Sequence, residues 1–187
     1  MANPFETLRQ NVGDKERSVT WYQSQVRKLG TINTNQLLRE GVLTNQIFPG
    51  FMYMFYYDPK YKETLPYYDR FPLVLPFRRV PGGFYGINLH YLPYMIRIRM
   101  LGFLNQYATD TNMNEKTRLR LSWRLIESSS RLKPVQACVK HYLYDHVRSR
   151  FLIIPSNDWV IASQLPVERF IGAQKDTVWR ETRKKYL

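Results

Sequence analysis

Apolar and polar positions change rhythm several times along the chain. Over residues 15–29, Val19, Tyr22, Val26 and Leu29 fall at helical spacing and Gly30 is a natural stop, which predicts a helix. A second, short helix is predicted over Thr34–Glu40, with Gly41 behind it. The residues ahead of Asp14 show little pattern and read as an arm. At Pro49-Gly50 the texture shifts. Phe51-Met52-Tyr53-Met54-Phe55-Tyr56-Tyr57 is a compact apolar run closed by Asp58-Pro59, and it reads as a strand buried on both faces. Residues 71–77 read as another strand; their prolines cannot donate to a ladder, which predicts an edge position or a break. Val80-Pro81-Gly82-Gly83 is a turn signal, and residues 84–89 return from it to make a hairpin.

From Pro93 the period becomes helical again. Met95, Ile98, Leu101 and Phe103 predict an amphipathic helix to about Tyr107, followed by a polar loop over residues 109–114. Asn112 with Glu115 three residues on resembles a capping box. The helix predicted over residues 115–128 carries Leu121, Trp123 and Leu125, and its Arg120 and Arg124 share a face. Pro134 suits the first position of a third helix, over residues 134–147, with Val135, Cys138, Val139 and Tyr142 as its apolar stripe. Residues 151–154 read as a short buried strand paired through a turn with residues 159–162, and residues 166–170 as one helical turn. The fold class is α+β: a small antiparallel β-sheet or barrel of about five short strands, with an inserted three-helix segment and N-terminal helices. Residues 1–48 form the N-terminal arm and helices. Residues 49–187 form the β core, with the insert at about 93–147 and a basic C-terminal tail, in one domain.

Charge narrows the function. Among 187 residues, 28 Lys and Arg face 15 Asp and Glu, a formal net charge of +13. An apolar fraction of 44 % excludes a disordered tail. No apolar run approaches the ~18–20 residues of a membrane-spanning helix. The start, Met1 to Glu6, has no basic and apolar signal-peptide regions, so none is expected. A lone cysteine, Cys138, excludes an internal disulfide and a Cys-rich zinc site, and its place on an apolar stripe reads as core. With 14 Tyr, 10 Phe and 4 Trp, such a basic chain suits either a nucleic-acid binder or a subunit facing acidic neighbours. Lys116 to Arg150 holds nine basic residues against Glu127 and Asp145, and the tail adds Arg180, Arg183, Lys184 and Lys185. No acid lies between Asp69 and Asp110, where Arg70, Arg78, Arg79, Arg97 and Arg99 occur. The residues expected to contact phosphate or an acidic partner are Arg118, Arg120, Arg124, Arg131, Arg148, Arg150, Arg183, Lys184 and Lys185. The same residues also read as a solvated basic face.

Catalytic signals are weak. His141 and His146 would stand about 140° apart on a helix, sharing no face. His90 reads as a hydrogen-bonded structural residue. Asp58, Lys60, Glu63 and Asp69 contain the groups of a metal nuclease, but Asp58-Pro59 is first of all a turn. Gly82-Gly83 lacks the Gly-Lys-Ser/Thr of a phosphate loop, and no Gly-x-Ser-x-Gly elbow occurs. No enzyme activity, cofactor or metal is expected.

Some strings are more specific. They are Tyr56-Tyr57-Asp58-Pro59-Lys60, the run from Leu65 to Val74, the run from Gly83 to Pro93, and His146-Val147-Arg148-Ser149-Arg150-Phe151. Over about residues 45–180 the chain resembles small proteins of large contractile-tailed bacteriophages of the myovirus type. The resemblance leaves virion and DNA-handling roles open; because a strand-rich core with a basic helical insert suits a place between other subunits, the first reading is a structural virion protein joining neighbouring subunits in the tail or baseplate. Its alternative is a phage DNA-binding protein, such as a genome-end protector acting during packaging; a nuclease comes third. The expected partners are other phage structural proteins, and DNA through the basic surface, with no membrane. The expected location is the virion, or the host cytoplasm during assembly.

Overall fold

The computed structural model describes residues 3–13, 17–108 and 112–185. In chain order they form α1 (Pro4–Val12), α2 (Val19–Leu29), α3 (Thr34–Glu40), β1 (Leu43–Thr44), β2 (Met52–Met54), β3 (Tyr68–Asp69), β4 (Leu73–Val80) and β5 (Gly83–Asn88). Then come α4 (Tyr94–Ala108), α5 (Glu115–Ser129), α6 (Lys133–Gln136), β6 (Val139–Leu143), β7 (Phe151–Ile154), α7 (Trp159–Gln164), β8 (Phe170–Ile171) and α8 (Lys175–Lys184). Six strands make one antiparallel sheet in the order β1-β7-β2-β4-β5-β6, and β3 pairs with β8 separately. The large sheet is α+β as expected, and it stays open instead of closing into a barrel.

Strand alternation sorts the sheet into two faces. Met52, Met54, Leu73, Leu75, Leu152 and Ile154 join the main core, with Leu8, Tyr22, Leu37, Leu101, Ile126 and Trp159 from the helices. The intervening Tyr53, Phe55, Tyr57, Val74, Phe84, Tyr142 and Phe151 form a second cluster, mostly of rings. Phe55 lies at its centre, edge-on to Phe151 at 5.0 Å and Tyr142 at 5.3 Å.

The structure corrects several expectations. The residues read as an arm form α1, capped by the Asn3 side chain, which accepts from the Phe5 N–H at 2.9 Å; Phe5 and Leu8 are buried. The strand with the prolines lies inside the sheet, between β2 and β5, and not at its edge. It tolerates Pro76 through a register shift between Pro76 and Arg78, so the predicted break is present. The cap of α5 is Asn114, which accepts from the Thr117 N–H at 2.9 Å, and not Asn112. The third helix stops after four residues, and 139–143 instead form β6 on the edge of β5, so the insert holds two long helices and one short one. Residues 159–162 begin α7 and do not return as a strand: Trp159, Ile161, Ala162 and Leu165 are all buried, and a short apolar run fits helix or strand equally. Residues 166–170 are no helical turn but lead into β8, and the tail is α8. At the β4–β5 turn Gly82 has φ +75°, a region glycine enters without strain. Part of the predicted polar loop, residues 109–111, lies outside the described residues.

Candidate nucleic-acid interface

Beyond β2 the chain keeps its sheet-like lacing, and this builds the site. Arg148 N–H donates to Tyr56 O at 2.8 Å and Asp58 N–H to His146 O at 3.0 Å. Tyr57 N–H donates to Arg70 O at 3.0 Å, and Arg70 N–H to Arg169 O at 2.8 Å. Residues 148, 56–57, 70 and 169 therefore run side by side at about the 4.8 Å spacing of paired strands.

Asp69 rivets this arrangement from beneath. Its Oδ1 accepts from the N–H groups of Phe71 at 3.1 Å and Arg169 at 3.2 Å. Its Oδ2 accepts from Asn88 Nδ2 at 3.2 Å and lies 2.7 Å from His90 Nδ1. Burial alone would raise the Asp69 pKa; His90, then Asn88 and the Arg169 N–H, outweigh it and hold the carboxyl below its usual range.

Along the laced segments lies a groove of about 880 Å³ lined by Arg70, Arg148 and Arg169. Its acid, Asp58, is already paired with Lys62 at 3.0 Å, and that hydrogen bond lowers the Asp58 pKa. Among the described residues no carboxylate forms an ion pair with the three arginines. Arg148 Nη1 donates to Asp145 O at 3.1 Å and Arg169 Nη1 to Glu168 O at 3.1 Å, which orients both guanidiniums. Asp58 feels the charge of Arg148 at longer range, but among the described residues no ion pair ties up the planar guanidiniums, and such groups are suited to phosphate.

Tyr57 and Tyr68 border both this groove and a second hollow of about 430 Å³. Tyr67, Tyr91 and Tyr142 line the second hollow, together with Lys140 and Lys185. Lys140 Nζ stands 4.2 Å from the centre of the Tyr91 ring and donates to Ala137 O at 2.9 Å. Burial pushes its pKa down to about 8.

The basic residues that the sequence points to are scattered. Arg148 lines the groove and Lys185 borders the second hollow. Arg120 and Arg124 are exposed on one face of α5, Arg131 is exposed just after it, and the half-buried Arg118 points about 200° away from Arg120. Arg150 is committed to the fold, donating to Asn45 Oδ1 at 3.1 Å and Leu43 O at 2.9 Å. Arg183 is exposed on the last turn of α8, and Lys184 pairs with Glu181 at 2.9 Å. Arg70 stood out in sequence only as part of an acid-free stretch; Arg169 gave no signal, because the β3–β8 pairing alone brings it to Arg70. Arg97 is not a surface charge. It is fully buried and donates to the carbonyls of His90, Leu92 and Ser163.

The nuclease groups do not converge. Asp69 is saturated and Asp58 is paired. Among the described residues no three His, Cys, Asp or Glu are grouped to hold a metal ion. His146 Nδ1 lies 2.8 Å from Asp58 O, and His141, on β6, stacks on Tyr85 at 4.7 Å. Burial pushes the Cys138 thiol up to about 12. Among the described residues no helix is long and apolar enough to cross a membrane.

No curated protein and no solved structure matches this chain. One sequence family does, over residues 5–185; it is described as the phage T4 terminal DNA protecting protein. The match agrees with the resemblance to contractile-tailed phage proteins. It overturns the tail or baseplate reading and backs the genome-end alternative, because the family is defined by protection of DNA ends. With all but a few terminal residues spanned, the chain belongs to the phage T4 terminal DNA protecting protein family.

Proposed function

We propose that this protein binds the ends of linear phage DNA through the arginine groove and shields them from exonucleases in the host cytoplasm during infection. The observation that carries this reading is the set Arg70, Arg148 and Arg169, placed on laced neighbouring segments with no carboxylate partner among the described residues. Phosphate neutralisation supplies the affinity and makes it depend on salt. Protection then follows from occupancy, since a covered terminus gives a processive exonuclease no entry. No bond is made or broken by the protein.

A protection assay tests the reading. Linear duplex DNA, with or without hairpin-capped ends, is exposed to a processive exonuclease at increasing protein concentration. The expected result is survival of open-ended DNA at protein levels that scale with the number of ends. The R70A/R148A/R169A variant should lose that survival. Displacement of the protein by closed circular DNA as readily as by an equal mass of linear DNA would overturn the proposal.

A further inference from the structure

The second hollow is not needed for a protein that merely follows a duplex backbone, and its chemistry differs from that of the groove. Its lining includes four buried residues, Asp69, Asn88, Tyr91 and Tyr142, so it reaches into the core-facing side of the sheet. Its walls present half-buried Tyr67 and Tyr68 and exposed Tyr61, rings on which a base can stack whatever its identity. At about 430 Å³ it falls in the roughly 300–1,000 Å³ span of small-molecule sites. Its cations are Lys60, Lys140 and Lys185, and none of them forms an ion pair among the described residues. The carboxylate in its lining, Asp69, has both oxygens occupied by four donors and forms no ion pair with these lysines. Through Tyr57 and Tyr68 the hollow adjoins the groove that would carry the rest of the strand.

We propose that this tyrosine-lined hollow receives the terminal nucleotide of a DNA strand, with its end phosphate against Lys140 and Lys185 and its base against the rings. The inference rests on the end-binding reading and deepens it. A terminal phosphomonoester carries about −1.5 to −2 charges near neutral pH, against one for an internal phosphate, and two unpaired lysines match it. The charge of Lys140 is costly where it stands, because burial opposes it and Lys185 repels it. An arriving phosphate relieves both.

The test compares blunt duplexes bearing a 5′-phosphate, a 3′-phosphate or only hydroxyl ends, with a hairpin-capped duplex as reference. Binding is read by fluorescence anisotropy, and a terminal 2-aminopurine reports stacking by quenching. The expected result is roughly tenfold tighter binding of one phosphorylated end over hydroxyl ends, the scale of a charge-assisted contact, with quenching of the terminal base. The two phosphate isomers tell which strand end enters. K140Q should erase the phosphate preference. K185Q, on an exposed residue whose loss leaves the fold intact, should reduce it. Open ends bound better than capped ones, but without phosphate preference or quenching, would overturn this inference and leave the end-binding reading standing. Capped and open duplexes bound equally would overturn both.

Discussion

Helix α5 and the arginine groove carry similar charge and differ in geometry. On α5 the cations are set by one local period: Arg120 and Arg124 share a face, Arg118 points away, and Glu127 answers with an ion pair to Arg78 at 3.3 Å. Exposed long side chains on a convex helix diverge, and their field is screened within about 8–10 Å at physiological salt. In the groove, Arg70, Arg148 and Arg169 come from separate stretches of chain, and backbone hydrogen bonds converge them on one concave surface. Local density of charge and convergence of charge are therefore different things, and the second is the one that builds a concave basic surface with no ion-paired arginine among the described residues.

The largest expected effect is on that convergence. R70A/R148A/R169A should lower DNA affinity about a thousandfold near physiological salt and reduce the slope of log K against log salt by nearly three, at about 0.9 per phosphate. Salt titrations of binding measure both. Next comes the rivet. Asp69→Ala strands the donors of Asn88, Arg169 and Phe71 and leaves His90 without its partner, so about 3 kcal/mol of stability should be lost, read by denaturant unfolding. Hydrogen exchange should then rise at residues 56–58, 69–71 and 169–171 while the α5 amides keep their protection.

A smaller effect is expected from pH. Lys140 titrates near 8, and only its ammonium form attracts phosphate, so affinity for a phosphorylated end should fall as pH rises from 7 to 9. Lys185 and the Cys138 thiol, which burial holds neutral in this range, act on Lys140, and Lys60, His141 and the Asp69 carboxylate line the same hollow. The Tyr57, Tyr67, Tyr91 and Tyr142 hydroxyls are all pushed up, by burial first, and stay protonated. K140Q should flatten the profile. The smallest effect belongs to α5: R120A/R124A should change affinity by about threefold or less, as expected of cations that act only through a screened field. A loss as large as that of the groove variant would erase the contrast between the two regions.

Much of the secondary structure was legible. Local chemistry fixed α3 between Asn33 and Gly41, and the Pro-Gly-Gly turn fixed the β4–β5 hairpin. Residues 139–143 read as helix in the sequence for a physical reason. Val139 and Tyr142 make a helical stripe with Val135 and Cys138, yet in a strand Val139 packs toward the main core and Tyr142 toward the ring cluster. The pairing of β6 with β5 decides between these readings, and it is invisible to any short window. The site was less legible than the fold. Basic clustering marks Arg148 and Lys185, but Arg169 follows Glu168 in an ordinary segment and meets Arg70 only through the β3–β8 pairing.

The spread of the groove along the chain has a consequence for synthesis. Its segments, at residues 56–58, 70, 148 and 169, are the products of long-range pairing and cannot meet until nearly the whole chain has emerged. A nascent or prematurely terminated chain that ends after α5 already displays Arg118, Arg120 and Arg124 but has no groove. Such a fragment can adhere loosely to any polyanion and cannot compete for a terminus. On the proposed reading, occupancy of DNA ends is thereby reserved for finished, folded molecules.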